Sequence, residues 1–290
     1  MRAFAYERPA TLADAVTVLG DGGPDARPLA GGTDLIIRLR DGSIQPRVVV
    51  DLKWIAELDR EIRDGDDRLT IGARTVMTDL AADRRIRREF PALAEAAAVV
   101  GAVQIRNRAT LAGNICNASP AADTAPALLV YDATVLVAGP GGSRQIPIDA
   151  FFVRSGVTTL VRGEVVTAIE LPRAASSPGA VHLRRTRRRG HDLASVTLAC
   201  AVQADGTTRL AYGSLGPRPV LVTDVTGVLA DRAAPERAKV ERLDTLFVAA
   251  SPSARSMRAS PDYRLAMLHV LGLRAVGIAL GRLADGANAR

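Results

Sequence analysis

The chain has 290 residues, 48% of them hydrophobic, which suffices for two domains with sizeable cores. The formal net charge of +7 would suit a nucleic-acid partner, but the arginines are scattered among 31 acidic residues. Aromatic side chains make up only 3% of the chain, too few for base stacking, so the composition argues against nucleic-acid binding.

The two cysteines, Cys116 and Cys200, lie far apart and form no CxxC pair. This spacing argues against a zinc ribbon and against an iron–sulfur cluster held by this chain alone. The opening segment MRAFAYERP lacks the apolar stretch of a signal peptide, and we expect no run as long as a membrane span. These features predict a cytoplasmic protein without its own metal site.

The first fifty residues are predicted to form a small α/β unit. Thr11 is the expected N-cap of a helix whose apolar face carries Leu12, Val16 and Leu19. A short strand over 27–30 and a buried β-branched strand over 48–52 follow. Neither GxGxxG nor GxxxxGK occurs, so the unit carries neither a Rossmann fingerprint nor a P-loop.

A glycine turn joins the strand at 27–30 to the next helix. We call it the first loop, and its residues are Ala30, Gly31, Gly32, Thr33, Asp34 and Leu35. Paired glycines allow positive φ and a close approach to a ligand, and free amides at a helix start attract a phosphate. The alternative is an ordinary glycine turn that Thr33 or Asp34 caps.

A second group of small and polar residues follows the segment QIRN. We call it the second loop, and its residues are Thr110, Leu111, Ala112, Gly113 and Asn114. Two such loops are able to grip the two phosphates of a pyrophosphate from different sides. In both loops a central glycine, Gly32 or Gly113, is expected to have positive φ.

The rest of the chain alternates strands and helices. In the middle we predict strands over 68–73, 133–138 and 164–171, with a hairpin turn at 139–142, and helices over 78–82, 91–99 and 123–131. The small, turn-rich segment 174–179 is the expected domain boundary. Beyond it come three strands over 180–186, 194–203 and 208–214, then helices over 235–250 and 263–284. Because Cys200 lies on the apolar side of the second of these strands, it is expected in the core.

Only a few charged groups invite a chemical role. His191 and Asp192 might form an acid–base pair, but neighbouring residues point apart, and an exposed histidine beside a backbone-bonded aspartate is the alternative. Two arginine clusters are interpreted as solvated faces or docking rims. They are Arg84, Arg85, Arg87 and Arg88, and Arg184, Arg185, Arg187, Arg188 and Arg189.

Taken together, the segments AGGTDL and QIRNRATLAGNICNASPAADTAPALL resemble one family, the FAD-binding subunits of the molybdenum hydroxylases. This family includes the medium subunits of carbon monoxide dehydrogenases and the flavin part of xanthine dehydrogenase. The similarity runs from residue 1 to about residue 264 and implies an α+β fold. Residues 1–175 would be an FAD-binding domain of the vanillyl-alcohol-oxidase (PCMH) type, with subdomains 1–57 and 58–175. Residues 179–286 would be a smaller C-terminal domain with a three-stranded sheet and helices.

The resemblance also implies a set of cofactor contacts. The pyrophosphate of FAD would be held by Leu29 and the first loop, and by the second loop. Asp123 would accept a hydrogen bond from a polyol hydroxyl of the flavin chain, with an N-cap of the following helix as the alternative role. Val166 would approach the flavin ring through its backbone, Val100 would line the adjacent pocket, and Arg184 would face the cofactor. Ala112 replaces the glycine that the family usually has, which restricts the backbone there.

The function implied by the resemblance is electron relay without a catalytic or metal-binding residue in this chain. The molybdenum pterin and two [2Fe–2S] clusters would belong to a large and a small partner subunit, in a dimer of heterotrimers. One alternative is a stand-alone flavoenzyme of the same fold, similar to the cell-wall UDP-sugar reductases. The other is a non-enzymatic, arginine-rich binding protein whose glycine loops are only turns.

Overall fold

The computed structural model describes the backbone of residues 2–174 and 177–288, and the side chains of these residues up to 285. Met1 and residues 175 and 176 lie outside the described residues, so part of the predicted domain boundary does too. The described residues form three sheets, a small two-stranded hairpin and eleven α-helices, with the helices interspersed among the strands.

A three-stranded parallel sheet in the order β1-β3-β2 forms the first unit. Its elements are strands Ala5–Glu7 (β1), Ala26–Leu29 (β2) and Val48–Asp51 (β3), and helices Leu12–Gly22 (α1) and Leu35–Arg40 (α2). Thr11 caps α1 by accepting a hydrogen bond from the Asp14 amide, as predicted. The parallel pairing of β2 with β3 places the carboxyl end of β2, and hence the first loop, at one edge of the unit.

A five-stranded antiparallel sheet in the order β4-β5-β10-β6-β7 organises the second unit. Its strands are Ile62–Asp64 (β4), Arg68–Gly72 (β5), Thr134–Gly139 (β6), Gly142–Pro147 (β7) and Val165–Pro172 (β10), and Phe152–Arg154 (β8) pairs separately with Val157–Thr158 (β9). The helices are Met77–Ala82 (α3), Arg84–Glu89 (α4), Pro91–Ala98 (α5), Val103–Arg106 (α6), Leu111–Cys116 (α7), Thr124–Val130 (α8) and Ile148–Phe151 (α9).

The third unit is a four-stranded antiparallel sheet with its strands in chain order. Its elements are Gly179–Arg185 (β11), Val196–Val202 (β12), Thr208–Gly213 (β13), Val220–Asp224 (β14), Glu236–Leu246 (α10) and Pro261–Asn288 (α11). The predicted three-stranded sheet was wrong by one strand. The short apolar run of β14 directly follows Pro217 and Pro219. Because prolines are typical of loops, the sequence did not indicate a strand there.

Helices cover both faces of the third sheet, and β12 shows how the sequence arranges this. Val196, Leu198 and Cys200 belong to the hydrophobic cluster shared with α10 and α11. Ala199 and Ala201 belong to the larger cluster that includes α5 and α8. Because successive side chains of a strand point to opposite faces of the sheet, the large residues of β12 lie on one face and the alanines on the other. Cys200 is fully buried, as predicted, and burial raises the pKa of its thiol.

By length and composition, Pro261–Asp285 within α11 is apolar enough to cross a membrane, with a mean hydropathy of 1.4 over its best window. The expectation that no run reaches this length is therefore wrong. Leu268, Ala275 and Ala279 are nevertheless fully buried against the third sheet. The helix is apolar because it lies in a core, and α11 is weak evidence for a membrane span.

Candidate functional site

All three units contribute to one cavity of about 640 Å³. Every predicted site residue except Leu29 and Leu111 lines it. These lining residues are Ala30, Gly31, Gly32, Thr33, Asp34, Leu35, Val100, Thr110, Ala112, Gly113, Asn114, Asp123, Val166 and Arg184. The volume is in the range of pockets that enclose a sizeable small molecule.

The first loop is a true left-handed turn between β2 and α2. Gly32 has φ of +77°, which other residues adopt only with strain, and Leu29 packs beside it. Within the described chain, the amides of residues 31–34 donate to no other group. Asp34 makes no side-chain cap on α2, so the capped-turn alternative is wrong for this residue. Four consecutive amides without an acceptor in residues that line a cavity are suited to an anion.

Gly31 brings the two loops together. A Cβ atom at this position would lie 2.1 Å from the carbonyl oxygen of Arg108, two residues before the second loop. Only a residue without a side chain permits this approach. The backbone of the first loop therefore lies against the segment that leads into the second loop. The first loop belongs to the unit of the parallel sheet and the second loop to the unit of the five-stranded sheet.

The second loop is the capped start of α7 rather than a glycine turn. The Thr110 hydroxyl accepts a hydrogen bond from the Gly113 amide at 3.0 Å. Gly113 is helical, so the expected positive φ at this position was wrong. Ala112 also lies in right-handed helix, where alanine is unstrained. Leu111 is fully buried and is not among the residues that line the cavity.

Asp123 lies immediately before α8 but does not cap it, so its alternative role as an N-cap is wrong. Its Oδ2 atom accepts a hydrogen bond from Arg184 Nη1 at 2.9 Å. Its Oδ1 atom is buried and accepts no hydrogen bond from the described residues. A buried carboxylate oxygen without a donor is costly, and because Asp123 lines the cavity, its carboxylate marks a place for a ligand donor.

Val166 and Val100 both line the cavity. Val166 is buried on β10 just before a bulge that shifts the register with β6. Val100 follows α5, and its carbonyl accepts a hydrogen bond from Arg106 Nη1 at 3.2 Å. Both positions offer backbone and apolar surface to a ligand.

His191 and Asp192 do not form an acid–base pair. His191 is exposed, and Asp192 accepts hydrogen bonds from the Arg187 side chain and the Leu193 amide. The hydrogen bonds from Arg187 lower the pKa of Asp192 to about 2, so the carboxylate stays charged. Among the described residues, no group of three His, Cys, Asp or Glu side chains forms a metal site.

Sequence reasoning missed several lining residues. They include Arg27, Arg38, Arg74, Leu193 and Glu164. Arg27 and Arg74 lie at the strands β2 and β5, whose ends border the cavity, and their positions beside glycine turns were the available signal. Together with Arg184, these arginines equal in number the four acidic residues that line the cavity, so the charges of the lining balance.

The first arginine cluster is divided by the fold. Arg85 is half-buried and forms ion pairs with Asp83 and Asp64, whereas Arg84, Arg87 and Arg88 are exposed on α4. In the second cluster Arg184 faces the cavity and Arg187 holds Asp192. Only part of each cluster is therefore free for a partner.

Two family profiles match the chain. One, described as the FAD binding domain in molybdopterin dehydrogenase, matches residues 2–174. The other, described as the CO dehydrogenase flavoprotein C-terminal domain, matches residues 181–279. The chain is 32% identical over 281 residues to the xanthine dehydrogenase FAD-binding subunit of Escherichia coli O157:H7, covering 95% of this chain and 96% of the relative.

Further similarities cover nearly whole chains. The carbon monoxide dehydrogenase medium chain of Hydrogenophaga pseudoflava is 31% identical over 285 residues, covering 97% of this chain and 98% of the relative. A solved structure of carbon monoxide dehydrogenase from that organism superposes with a TM-score of 0.90 at 30% identity, covering 97% and 98% of the two chains. A chain of quinoline 2-oxidoreductase from Pseudomonas putida 86 superposes with a TM-score of 0.85 at 27% identity, covering 97% and 98%.

Proposed function

We propose the function of this chain from its family, because the chain belongs to the FAD-binding subunits of the molybdenum hydroxylases. It is thus an oxidoreductase subunit whose cofactor is FAD. We infer that it transfers electrons, which it takes from [2Fe–2S] clusters of a partner subunit and passes to an external acceptor. The observation that carries the cofactor assignment is the cavity to which all three units contribute.

The cavity residues fit FAD in three respects. The free amides of residues 31–34 suit the pyrophosphate, and the close approach at Gly31 adds Thr110 and Asn114 to the same wall. Asp123 Oδ1 lacks a donor that a polyol hydroxyl would supply. Val166, Val100 and Arg184 would border the flavin. Leu29 and Leu111 would support the two loops from outside the cavity.

When bound, the flavin ring accepts and releases electrons, and the protein supplies binding, orientation and electrostatics. This chain needs no acid–base residue for such a role. Cys200 is fully buried and Cys116 is far from it in sequence, so the clusters belong to another chain. We propose an iron–sulfur subunit and a molybdenum subunit as partners, in a cytoplasmic dimer of heterotrimers. Support comes from relatives named as a medium chain and as an FAD-binding subunit.

The proposed domain organisation follows the sheets. Residues 1–175 would form a PCMH-type FAD-binding domain, with subdomains 1–57 and 58–175, and residues 179–286 the C-terminal domain. The parallel sheet lies within 1–57, the five-stranded sheet within 58–175 and the four-stranded sheet within 179–286. The two family profiles, over 2–174 and 181–279, support the same division.

Cofactor binding is tested first on the isolated full-length chain. FAD is added, unbound FAD is removed, and the absorbance spectrum is recorded. We expect flavin bands that acid precipitation releases, since the proposal is non-covalent binding. A colourless protein would contradict the proposal and would favour an arginine-rich binding protein.

Electron transfer is tested by expressing the chain with its gene neighbours. We expect a complex that contains iron, molybdenum and FAD, in which the organic substrate of the complex bleaches the flavin bands. A matched complex lacking the iron–sulfur subunit should leave the flavin oxidised. Substrate turnover by this chain alone, without iron or molybdenum, would instead identify a stand-alone flavoenzyme.

Partner docking is tested on the exposed arginines of α4. Arg84, Arg87 and Arg88 are changed to Glu, and Arg85 is left intact because its ion pairs with Asp83 and Asp64 belong to the fold. If this cluster is a docking rim, complex assembly weakens while FAD binding stays unchanged. Assembly with full affinity would assign the cluster to the solvated surface.

A further inference from the structure

A buried histidine lies behind the cavity wall, and neither the resemblance nor the site described above gives it a role. His182 is on β11, and its side chain is only 2% exposed. Its Nε2 atom lies 2.9 Å from Thr197 Oγ1 on the neighbouring strand β12 and 3.4 Å from Asp123 Oδ1. The ring therefore stands next to the one oxygen of Asp123 that accepts no hydrogen bond.

The surroundings of His182 hold it rigidly. Its backbone amide donates to Glu95 Oε2 at 2.8 Å, and Glu95 is in turn paired with Arg282 of α11. Thr197, on the same face of the third sheet, contacts the ring at Nε2. Asp123 is thus flanked by two basic side chains, Arg184 at Oδ2 and His182 at Oδ1.

The chemistry of the three groups fixes the position of one proton. A carboxylate only accepts hydrogen bonds, whereas the Thr197 hydroxyl both donates and accepts. A bare Nε2 lone pair 3.4 Å from Oδ1 would face a negative charge in a buried site, which is unfavourable. The carboxylate therefore favours the form of His182 with hydrogen on Nε2, and Thr197 Oγ1 accepts that hydrogen.

We propose that His182 is a positioning residue for Asp123 in cofactor binding. The Nε2–H group donates its hydrogen to Thr197 Oγ1 and turns the positive end of its dipole toward Oδ1, 3.4 Å away, while Arg184 holds Oδ2, so that the carboxylate keeps one orientation. A fixed acceptor loses less conformational freedom when a ligand hydroxyl binds to it. The inference rests on the proposed function, in which this cavity binds FAD and Asp123 accepts a hydroxyl of its polyol chain.

The test measures FAD affinity of the full-length chain by flavin fluorescence for His182→Phe and His182→Gln. Phenylalanine keeps the ring volume but removes the N–H group, and we expect the Kd for FAD to rise about tenfold because the carboxylate loses its electrostatic contact with the ring. Glutamine retains an N–H group near the position of Nε2 and should bring the Kd back to within about threefold of the wild type. Equal affinity of His182→Phe and the wild type would overturn the inference.

A double-mutant cycle separates positioning from general damage to the core. In the Asp123→Asn background, His182→Phe should change the Kd by less than about twofold, because its effect passes through the carboxylate. An undiminished loss in that background would mean that His182 only packs the core, and the inference would fail. If His182→Phe does not fold, Thr197→Val against Thr197→Ser replaces it, since only serine keeps the hydroxyl that orients the ring.

FAD binding by the wild type and by Asp123→Asn distinguishes failure of the proposed function from failure of the role inferred for His182. If the wild-type chain binds no FAD, the proposed function fails, and the inference fails with it. If the wild type binds FAD and Asp123→Asn binds it equally well, the cofactor assignment stands while the role of the Asp123–His182 pair is refuted.

Discussion

The first and second loops have similar compositions but different backbones. Both combine glycine with a hydroxyl and a polar side chain, and both line the same cavity wall. The first loop depends on glycine itself, because Gly32 has φ of +77° and Gly31 leaves no room for a side chain. The second loop depends on a helix cap, because Thr110 accepts from the Gly113 amide. Glycine content alone therefore does not specify a left-handed turn.

Because of this difference, the two loops offer different groups to a ligand. The first loop keeps four amides without acceptors in the described chain, ready for an anion. In the second loop the Gly113 and Asn114 amides are already bonded to Thr110. Its contribution lies instead in the placement of side chains, such as Asn114, whose Oδ1 accepts from the Thr124 hydroxyl at 2.6 Å. Substitutions should consequently affect the two loops unequally.

The largest effect is expected from Gly31→Val. The new Cβ would meet the Arg108 carbonyl at 2.1 Å, so the two loops must separate. We expect a loss of about 3 kcal/mol in the free energy of unfolding, as for severe overpacking, and no measurable FAD binding. Urea denaturation and FAD titration test this. Gly20→Val is the matched control, because a Cβ at Gly20 meets nothing within 4 Å, and normal FAD binding by Gly31→Val would refute the contact between the loops.

Gly32→Val should have the next largest effect. A β-branched residue opposes φ of +77° and crowds Leu29, so the free amides lose their arrangement. We expect FAD affinity to fall by about 2–4 kcal/mol, similar to the loss of charge-assisted hydrogen bonds. Gly32→Asn is the control, since asparagine tolerates left-handed backbone and should retain most of the affinity. Equal losses for both variants would show that the conformation of this loop does not matter.

Local sequence patterns predicted an element well where the pattern is compatible with only one kind of structure. The Thr11 cap, the strand at 48–52, the hairpin at 139–142 and the buried side of Cys200 all follow from periodicity or capping. Errors arose where a pattern had two physical solutions. The capped helix at Gly113 and the strand that starts at Val220 directly follow Thr110 and Pro219, residue types that are also common in loops.

The candidate site was predictable only in part, because its parts come from distant segments. The resemblance indicated which loops face a cofactor. No sequence pattern placed His182 beside Asp123, since this contact depends on the packing of β11 against the start of α8. The approach of Gly31 to Arg108 is likewise a property of the assembled units. Composition also misjudged α11, whose apolar length reflects burial in a core.

A smaller effect is expected from Thr110→Val. The change removes the cap on the Gly113 amide but keeps the size and the branched shape of the side chain. We expect a loss of about 1 kcal/mol in the free energy of unfolding, typical of an N-cap, and a modest fall in FAD affinity. Thr110→Ser keeps the hydroxyl and should match the wild type in both measurements. If valine has no effect, the cap does not organise the second loop.

The smallest effect is expected from Gly113→Ala, which distinguishes the two loops most directly. Alanine favours helix over glycine by about 1 kcal/mol, and this gain opposes the contact of the new Cβ with Thr110 Oγ1 at 2.9 Å. Because the two terms have opposite signs, we expect them to cancel to within about 1 kcal/mol in urea denaturation. Gly32→Ala, by contrast, should cost about 1–2 kcal/mol, because alanine lacks the freedom of glycine at positive φ. If Gly113→Ala costs as much as Gly32→Ala, the second loop is also a left-handed glycine turn, and the distinction between a conformational glycine and a capped helix start is wrong.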